Sequence, residues 1–122
     1  MRPTAGLLAA TLVVLGACSS SVDRQRATTC RRAVPALAPA GAAVTVLRLA
    51  QGPVADSIRI DYGIGQSDGR QRWVLCRFGS GAELLGIGTE RGPLSGAALY
   101  LLRHYYLDTA DAVAAEPAGP LR

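Results

Sequence analysis

The chain has 122 residues, which is enough for one domain with a modest hydrophobic core and too few for several domains. Its basic side chains are all arginines, and they outnumber the acidic ones to give a net charge of +4 at pH 7. The arginines are scattered from Arg24 to Arg122 and form no cluster with aromatic residues, which argues against nucleic-acid binding. This pattern favours a solvated basic surface, with weak attraction to anionic lipid or polysaccharide as the alternative.

The first 17 residues have the pattern of a secretory signal peptide. Arg2 gives a positive start, residues 5–17 are almost all apolar, and small residues stand at the end. The apolar stretch covers 13 residues, whereas a membrane-spanning helix needs about 20. The stretch therefore predicts an exported chain without a permanent membrane span.

The run Leu15-Gly16-Ala17-Cys18 resembles the lipobox of bacterial lipoproteins, in which a leucine and two small residues precede a cysteine. The resemblance implies that Cys18 is diacylated, that residues 1–17 are removed, and that residues 18–27 form a lipidated tether. Ser19, not Asp, follows the cysteine, as in lipoproteins that are forwarded to the periplasmic face of the outer membrane. The alternative is an ordinary signal peptide in which Cys18 is incidental.

Two cysteines remain if Cys18 carries the lipid. An oxidising compartment favours their pairing, so Cys30 and Cys76 are expected to form a disulfide across 46 residues. By loop entropy such a bridge contributes about 3–4 kcal/mol. Two buried free thiols are the alternative, and no metal site is predicted from two separate cysteines and a single histidine.

A first helix is predicted to begin at Thr28 or Thr29, either of which can cap it. Pro35 limits this helix, and Pro39 lies beyond its end. The pair Arg31-Arg32 is expected to point outward, because helical spacing gathers the apolar residues on the opposite face. That apolar face consists of Cys30, Ala33, Val34 and Leu37.

Four strand-like runs follow, at residues 43–49, 57–62, 72–78 and 83–89. The second run alternates between apolar and charged residues, which is typical of a strand with one solvated face. The third run is apolar on both sides, which predicts a central strand covered on both faces. Short glycine-rich links, and a longer one containing Asp68-Gly69, predict an antiparallel meander.

A second helix is predicted to begin after Ser95, which is a good N-cap. Its expected buried face consists of Ala98, Leu101, Leu102, Tyr105 and Tyr106. Residues 109–122 are expected to form a frayed tail, with a short helix as the alternative. The predicted fold class is α+β: an antiparallel sheet of three to four strands with an N-terminal and a C-terminal helix packed on it, in one domain at residues 28–108.

No motif places a nucleophile or an acid beside His104, so neither a catalytic residue nor a cofactor is predicted. Tyr100, Arg103 and His104 lie on the polar side of the second helix and form the candidate partner surface. The chain after Cys18, with its paired cysteines and the Gly92-Pro93-Leu94-Ser95 helix start, resembles small envelope lipoproteins of Gram-negative bacteria, and this resemblance implies no particular activity. We expect a non-enzymatic accessory or interaction module that binds an envelope protein in the periplasm. The alternatives are a small-ligand-binding accessory of an envelope transporter and a small hydrolase that uses His104 with Ser95 or an aspartate.

Overall fold

The computed structural model describes residues 16–65 and 71–119, with the backbone alone for residues 16–20. The expected signal peptide as far as Leu15, the Asp68-Gly69 link and residues 120–122 lie outside the described residues. The described elements, in chain order, are α1 (Gly16–Leu37), β1 (Val44–Gln51), β2 (Ser57–Ile64), β3 (Arg72–Phe78), β4 (Leu84–Thr89), β5 (Gly92–Pro93), α2 (Gly96–Tyr105) and α3 (Ala110–Ala114).

The strands form an open antiparallel sheet in the order β1-β2-β3-β4-β5, so each strand lies beside its neighbour in sequence. This confirms the predicted α+β class and the antiparallel meander, although the sheet has five strands where three to four were predicted. The additional strand, β5, follows a tight turn in which the Thr89 hydroxyl accepts from the Arg91 N–H and donates to the Gly92 carbonyl. It was not predicted because a glycine followed by a proline has no strand propensity.

The core lies between the helices and one face of the sheet. α1 packs against β1, β2 and β3, α2 packs against β4, and α3 packs against α1. Val34, Ile60 and Val74 are fully buried where α1 crosses the middle strands. The alternation of β2 predicted this arrangement, since its apolar residues share the face that α1 covers.

Cys30 and Cys76 join α1 to β3. Their sulfur atoms lie 2.13 Å apart, and both residues are fully buried. The prediction that these two cysteines pair is therefore confirmed at disulfide distance. The helical spacing that placed Cys30 on the apolar face of α1 is the reason that it meets the central strand.

The outer face of the sheet is covered by no helix within the described residues. Trp73 and Leu75 of β3 are half-buried there and Arg77 is exposed, so the prediction that this strand is covered on both faces is wrong. Neighbouring side chains shield it instead: the Arg59 guanidinium lies 4.9 Å from the centre of a Trp73 ring and pairs with Asp61 at 3.1 Å. Within the part of the chain that the structure describes, the apolar residues of β3 on this face pack against neighbouring side chains and not against a second layer.

α1 is longer than predicted, because the helix already includes residues 16–27. Thr28 therefore lies inside the helix and does not cap it. Pro35 is tolerated two residues before the end, where a missing N–H costs one terminal hydrogen bond. Among the described residues, no helix has both the length and the apolar character that a membrane span requires.

Arg26 attaches the N-terminal part of α1 to the ends of two hairpins. Its guanidinium donates to the carbonyl oxygens of Gly79 and Gly81 and pairs with Asp56 at 3.0 Å. The next residue, Ala27, is buried. The packed unit therefore begins before residue 28, and the residues expected to form a tether are helical.

Ser95 caps α2 as predicted, since its hydroxyl accepts from the Ala98 N–H at 3.1 Å. The buried stripe of α2 is narrower than predicted, because Leu101 is 57% exposed and Tyr105 is 69% exposed. α2 packs against β4, close to the edge of the sheet, where little surface is available to cover a broad helical face. The side chains that reach the core from this region are Leu99, Leu102, Tyr106 and Leu107.

The C-terminal segment, defined as residues 116–119, is bound to the domain and differs from the frayed tail that was predicted. It follows α3, which is the short helix expected as the alternative. Arg31 is only 4% exposed and donates to the carbonyl oxygens of Pro117 and Gly119. Arg32 pairs with Glu116 at 3.0 Å. The prediction that Arg31 points outward is therefore wrong, because its guanidinium finds acceptors in a segment distant in sequence.

Candidate interaction surfaces

α2 carries a group of exposed apolar and aromatic side chains, here named the aromatic surface, which consists of Tyr100, Leu101, His104 and Tyr105. The Tyr100 ring centre lies 4.2 Å from that of His104 and 6.3 Å from that of Tyr105. Residues four apart on a helix are neighbours, which explains the first contact. Ring pairs at these distances attract each other, so the helix presents the cluster already assembled.

Of the three residues predicted as a partner surface, the structure brings Tyr100 and His104 together. Arg103 instead pairs with Glu83, before β4, at 3.7 Å. Both charges are partly exposed, so the pair contributes little to stability. Arg103 and His104 also line a cavity of about 320 Å³ together with Thr29, Arg32 and Asp108.

The hydrolase alternative requires a nucleophile close to His104. Ser95 lies nine residues earlier on the same helix, which corresponds to roughly 13 Å along its axis. Its hydroxyl caps the helix by accepting from Ala98. The structure therefore does not bring Ser95 to His104. Within residues 16–65 and 71–119, no group of three or more histidine, cysteine or acidic side chains is arranged to hold a metal ion.

A groove of about 1060 Å³, here named the β1 groove, lies between the N-terminal half of α1 and the β1–β2 hairpin. Its wall on α1 includes Asp23, Arg24 and Ala27, and its wall on the hairpin includes Leu49 and Ile58. Asp23 and Arg24 are exposed, as is most of the hairpin turn that closes the groove. The β1 groove is therefore open, unlike the enclosed pockets that bury a small ligand.

Cys18 lies in the first turn of α1, of which the structure describes the backbone alone. It precedes Arg26 by eight residues, which is about 12 Å along a helix. An extended tether of the same residues would reach about 25–30 Å. The residue predicted to carry the lipid is thus joined to the packed domain by a short helical segment.

No protein-family model matches this chain, and neither a curated protein nor a solved structure gives a match. The functional assignment therefore depends on the residues themselves. Sequence reasoning missed Leu101 and Tyr105 as surface residues because their spacing fits a broad buried face as well as an exposed one. It missed the β1 groove because the groove joins elements that are distant in sequence.

Proposed function

We propose that this protein is a lipid-anchored envelope protein without catalytic activity, acting as an accessory or interaction module in the periplasm. The leader and the Leu15-Gly16-Ala17-Cys18 run support lipidation at Cys18, with the outer membrane as the expected location. The observation that carries the interaction role is the aromatic surface on α2.

The aromatic surface has the properties of a protein-binding site. Tyr100, at 53% exposure, Leu101 and Tyr105 leave a large apolar area in solvent on a helix whose other side is packed. Tyrosine gives much contact area for little loss of side-chain entropy, and tyrosines are frequent among residues that dominate binding energy. A partner with an apolar depression, rimmed by groups that accept from tyrosine hydroxyls, fits this surface.

Anchoring near the domain favours partners at the membrane. About 12 Å of helix separates Cys18 from the contacts of Arg26, so the lipid would hold the domain next to the bilayer. A protein that samples a thin layer along a membrane meets other membrane-bound partners at a raised effective concentration. The open form of the β1 groove fits this role better than the small-ligand alternative, which requires an enclosed pocket.

Photo-crosslinking in cells tests the interaction role. A photoreactive phenylalanine analogue replaces Tyr100 in one strain and Val113 of α3 in another. Val113 is a matched control, because its exposure of 52% equals that of Tyr100 within one per cent and it lies outside the aromatic surface. We expect a defined crosslinked envelope protein from position 100 and not from position 113.

Two outcomes contradict the proposal: the same products from both positions, or no product from position 100 under any growth condition. Substituting Tyr105 with alanine should weaken the crosslink at position 100, because both side chains would contact the same partner. Replacing an interface tyrosine that contributes to binding with alanine typically weakens the affinity for the partner by about tenfold.

A further inference from the structure

We propose that the second half of the β1 edge, which pairs with no described segment, binds an extended peptide segment of a partner protein together with the β1 groove. The peptide would add to the sheet as a sixth strand. This site is separate from the aromatic surface and requires neither the lipid nor the α2 contacts. It therefore goes beyond the function proposed above, and the two can fail independently.

The first half of the β1 edge already forms a main-chain bridge. The Val46 N–H donates to the Ala118 carbonyl at 2.9 Å, and Ala118 forms a parallel bridge with Thr45. Gly119 lies so close to Val46 that a Cβ atom there would overlap the carbonyl oxygen. The edge thus pairs with main-chain groups of the C-terminal segment through one bridge, which shows the kind of contact that it makes.

The second half of the same edge offers further main-chain groups. Hydrogen bonds alternate along an antiparallel strand, and the Gly52 N–H donates to the Ser57 carbonyl inside the hairpin. The main-chain groups of Leu49 and Gln51 therefore point away from β2, and both residues line the β1 groove. Among the described residues no segment pairs with them. An open strand edge of this kind is a template for pairing with another chain.

The β1 groove leaves room for a peptide beside this edge. Ala27 of α1 and Leu49 of β1 line this groove together, so a strand paired with the β1 edge would have one face toward it. Successive side chains of a strand point to opposite sides. Every second side chain of the peptide would therefore face the groove, whose lining includes the apolar residues Leu49, Ile58 and Ala27.

The charged side chains that line the β1 groove indicate which kind of peptide it would bind. Arg26 and Asp56 line the groove as an ion pair at 3.0 Å. The other charged residues of the lining, Asp23 and Arg24, have opposite signs. The charged side chains of the lining therefore cancel, so the groove attracts neither an acidic nor a basic peptide, and its apolar residues favour a peptide with apolar side chains at alternate positions. Main-chain hydrogen bonds would supply affinity, as they do when a strand is added to a sheet edge.

A random library of linear nine-residue peptides, selected on the immobilised full chain, tests this inference. We expect peptides with alternating apolar residues and no central proline. Gln51→Pro removes one outward N–H at an edge position where proline is tolerated, and it should weaken binding about tenfold. Gln51→Ala keeps that N–H and should change affinity less than about twofold. Tyr100→Ala should leave peptide binding unchanged, which separates this site from the aromatic surface.

Peptides with methylated backbone nitrogens test the same main-chain hydrogen bonds if the Gln51→Pro variant fails to fold. Methylation of the backbone nitrogens that face β1 should abolish binding, whereas methylation of the alternate nitrogens should be tolerated. Equal effects of the two methylation patterns would overturn the proposal, and so would the absence of any binding peptide. Binding that arises only after deletion of residues 120–122 would also overturn it, because the chain's own end would then be the occupant.

Discussion

Replacing Arg31 with methionine removes the guanidinium that binds the C-terminal segment and keeps a flexible apolar side chain in its place. Arg31 is 4% exposed, so its apolar stem fills space between α1 and this segment. Methionine fills a similar volume and adapts to irregular gaps. The substitution therefore tests the hydrogen bonds more than the packing.

The structure sets the size of the expected effect. Arg31 donates one short hydrogen bond to the Pro117 carbonyl and one of 3.4 Å to the Gly119 carbonyl. A hydrogen bond to a charged group contributes about 1.5–3 kcal/mol, and the longer bond falls below that range. Loss of both should weaken attachment of the C-terminal segment by about 2–4 kcal/mol. For amide protons that the attached segment protects, this corresponds to hydrogen exchange that is roughly 30 to 1000 times faster.

The Val46 amide reports this attachment directly, because its hydrogen bond to Ala118 at 2.9 Å forms only when the segment is in place. Hydrogen exchange followed by NMR should show a much faster Val46 amide in Arg31→Met. The amides in the middle of β2 and β3 should change less, since the local opening leaves the core intact.

Arg32→Met is the matched control. Arg32 binds the same segment through Glu116, but both side chains are 30% exposed and such a pair contributes at most about 1 kcal/mol. Val46 exchange should therefore change less than about fivefold in this variant. Unchanged Val46 protection in Arg31→Met, or equal acceleration in the two variants, would show that the Arg31 hydrogen bonds do not hold the C-terminal segment in place.

Three further predictions concern the rest of the fold. Cys30→Ala combined with Cys76→Ala should lower the free energy of unfolding by about 3–4 kcal/mol in urea titrations, and an unchanged midpoint would contradict a stabilising pair. Gly119→Ala should accelerate Val46 exchange, since its φ of 128° and its contact with Val46 both exclude a Cβ atom; exchange at the normal rate would disprove this close approach. Burial, and next the Glu90 carboxylate, raise the pKa of Tyr62 above 10.0, so the folded state holds this proton more tightly than the unfolded state. The contribution of Tyr62 to the free energy of unfolding should then be fully present below about pH 10 and be lost as the pH rises through the folded pKa. In urea titrations, Tyr62→Phe should lose less stability at alkaline pH than the unsubstituted protein. An equal loss in both proteins would contradict this prediction.

Local patterns predicted the elements whose partners are close in sequence. The alternation of Ile58, Ile60 and Tyr62 identified the inner face of β2, and short links fixed the antiparallel order. The helical spacing around Cys30 correctly placed this residue opposite Cys76. In each case the signal and the structure share one physical cause, which is the burial of apolar side chains at a regular period.

Long-range contacts of polar groups could not be predicted in this way. Arg31 looks like a solvated charge in the sequence, because the carbonyl groups that bind it belong to residues 117 and 119 and carry no side-chain signal. The main-chain N–H and C=O groups of Leu49 and Gln51 at the β1 edge also give no sequence signal, because nearly every residue has the same main-chain donor and acceptor. Leu101 and Tyr105 were misplaced because the width of a helix's buried face depends on the surface that it packs against.

Mass spectrometry of the intact protein purified from cell membranes shows whether this protein is lipid-anchored through Cys18. We expect a chain that begins at Cys18 and carries added acyl mass, with two hydrogens fewer than the reduced form because Cys30 and Cys76 are joined. A chain that retains residues 1–17, or that begins at Cys18 without fatty chains, would contradict a lipid-anchored envelope module.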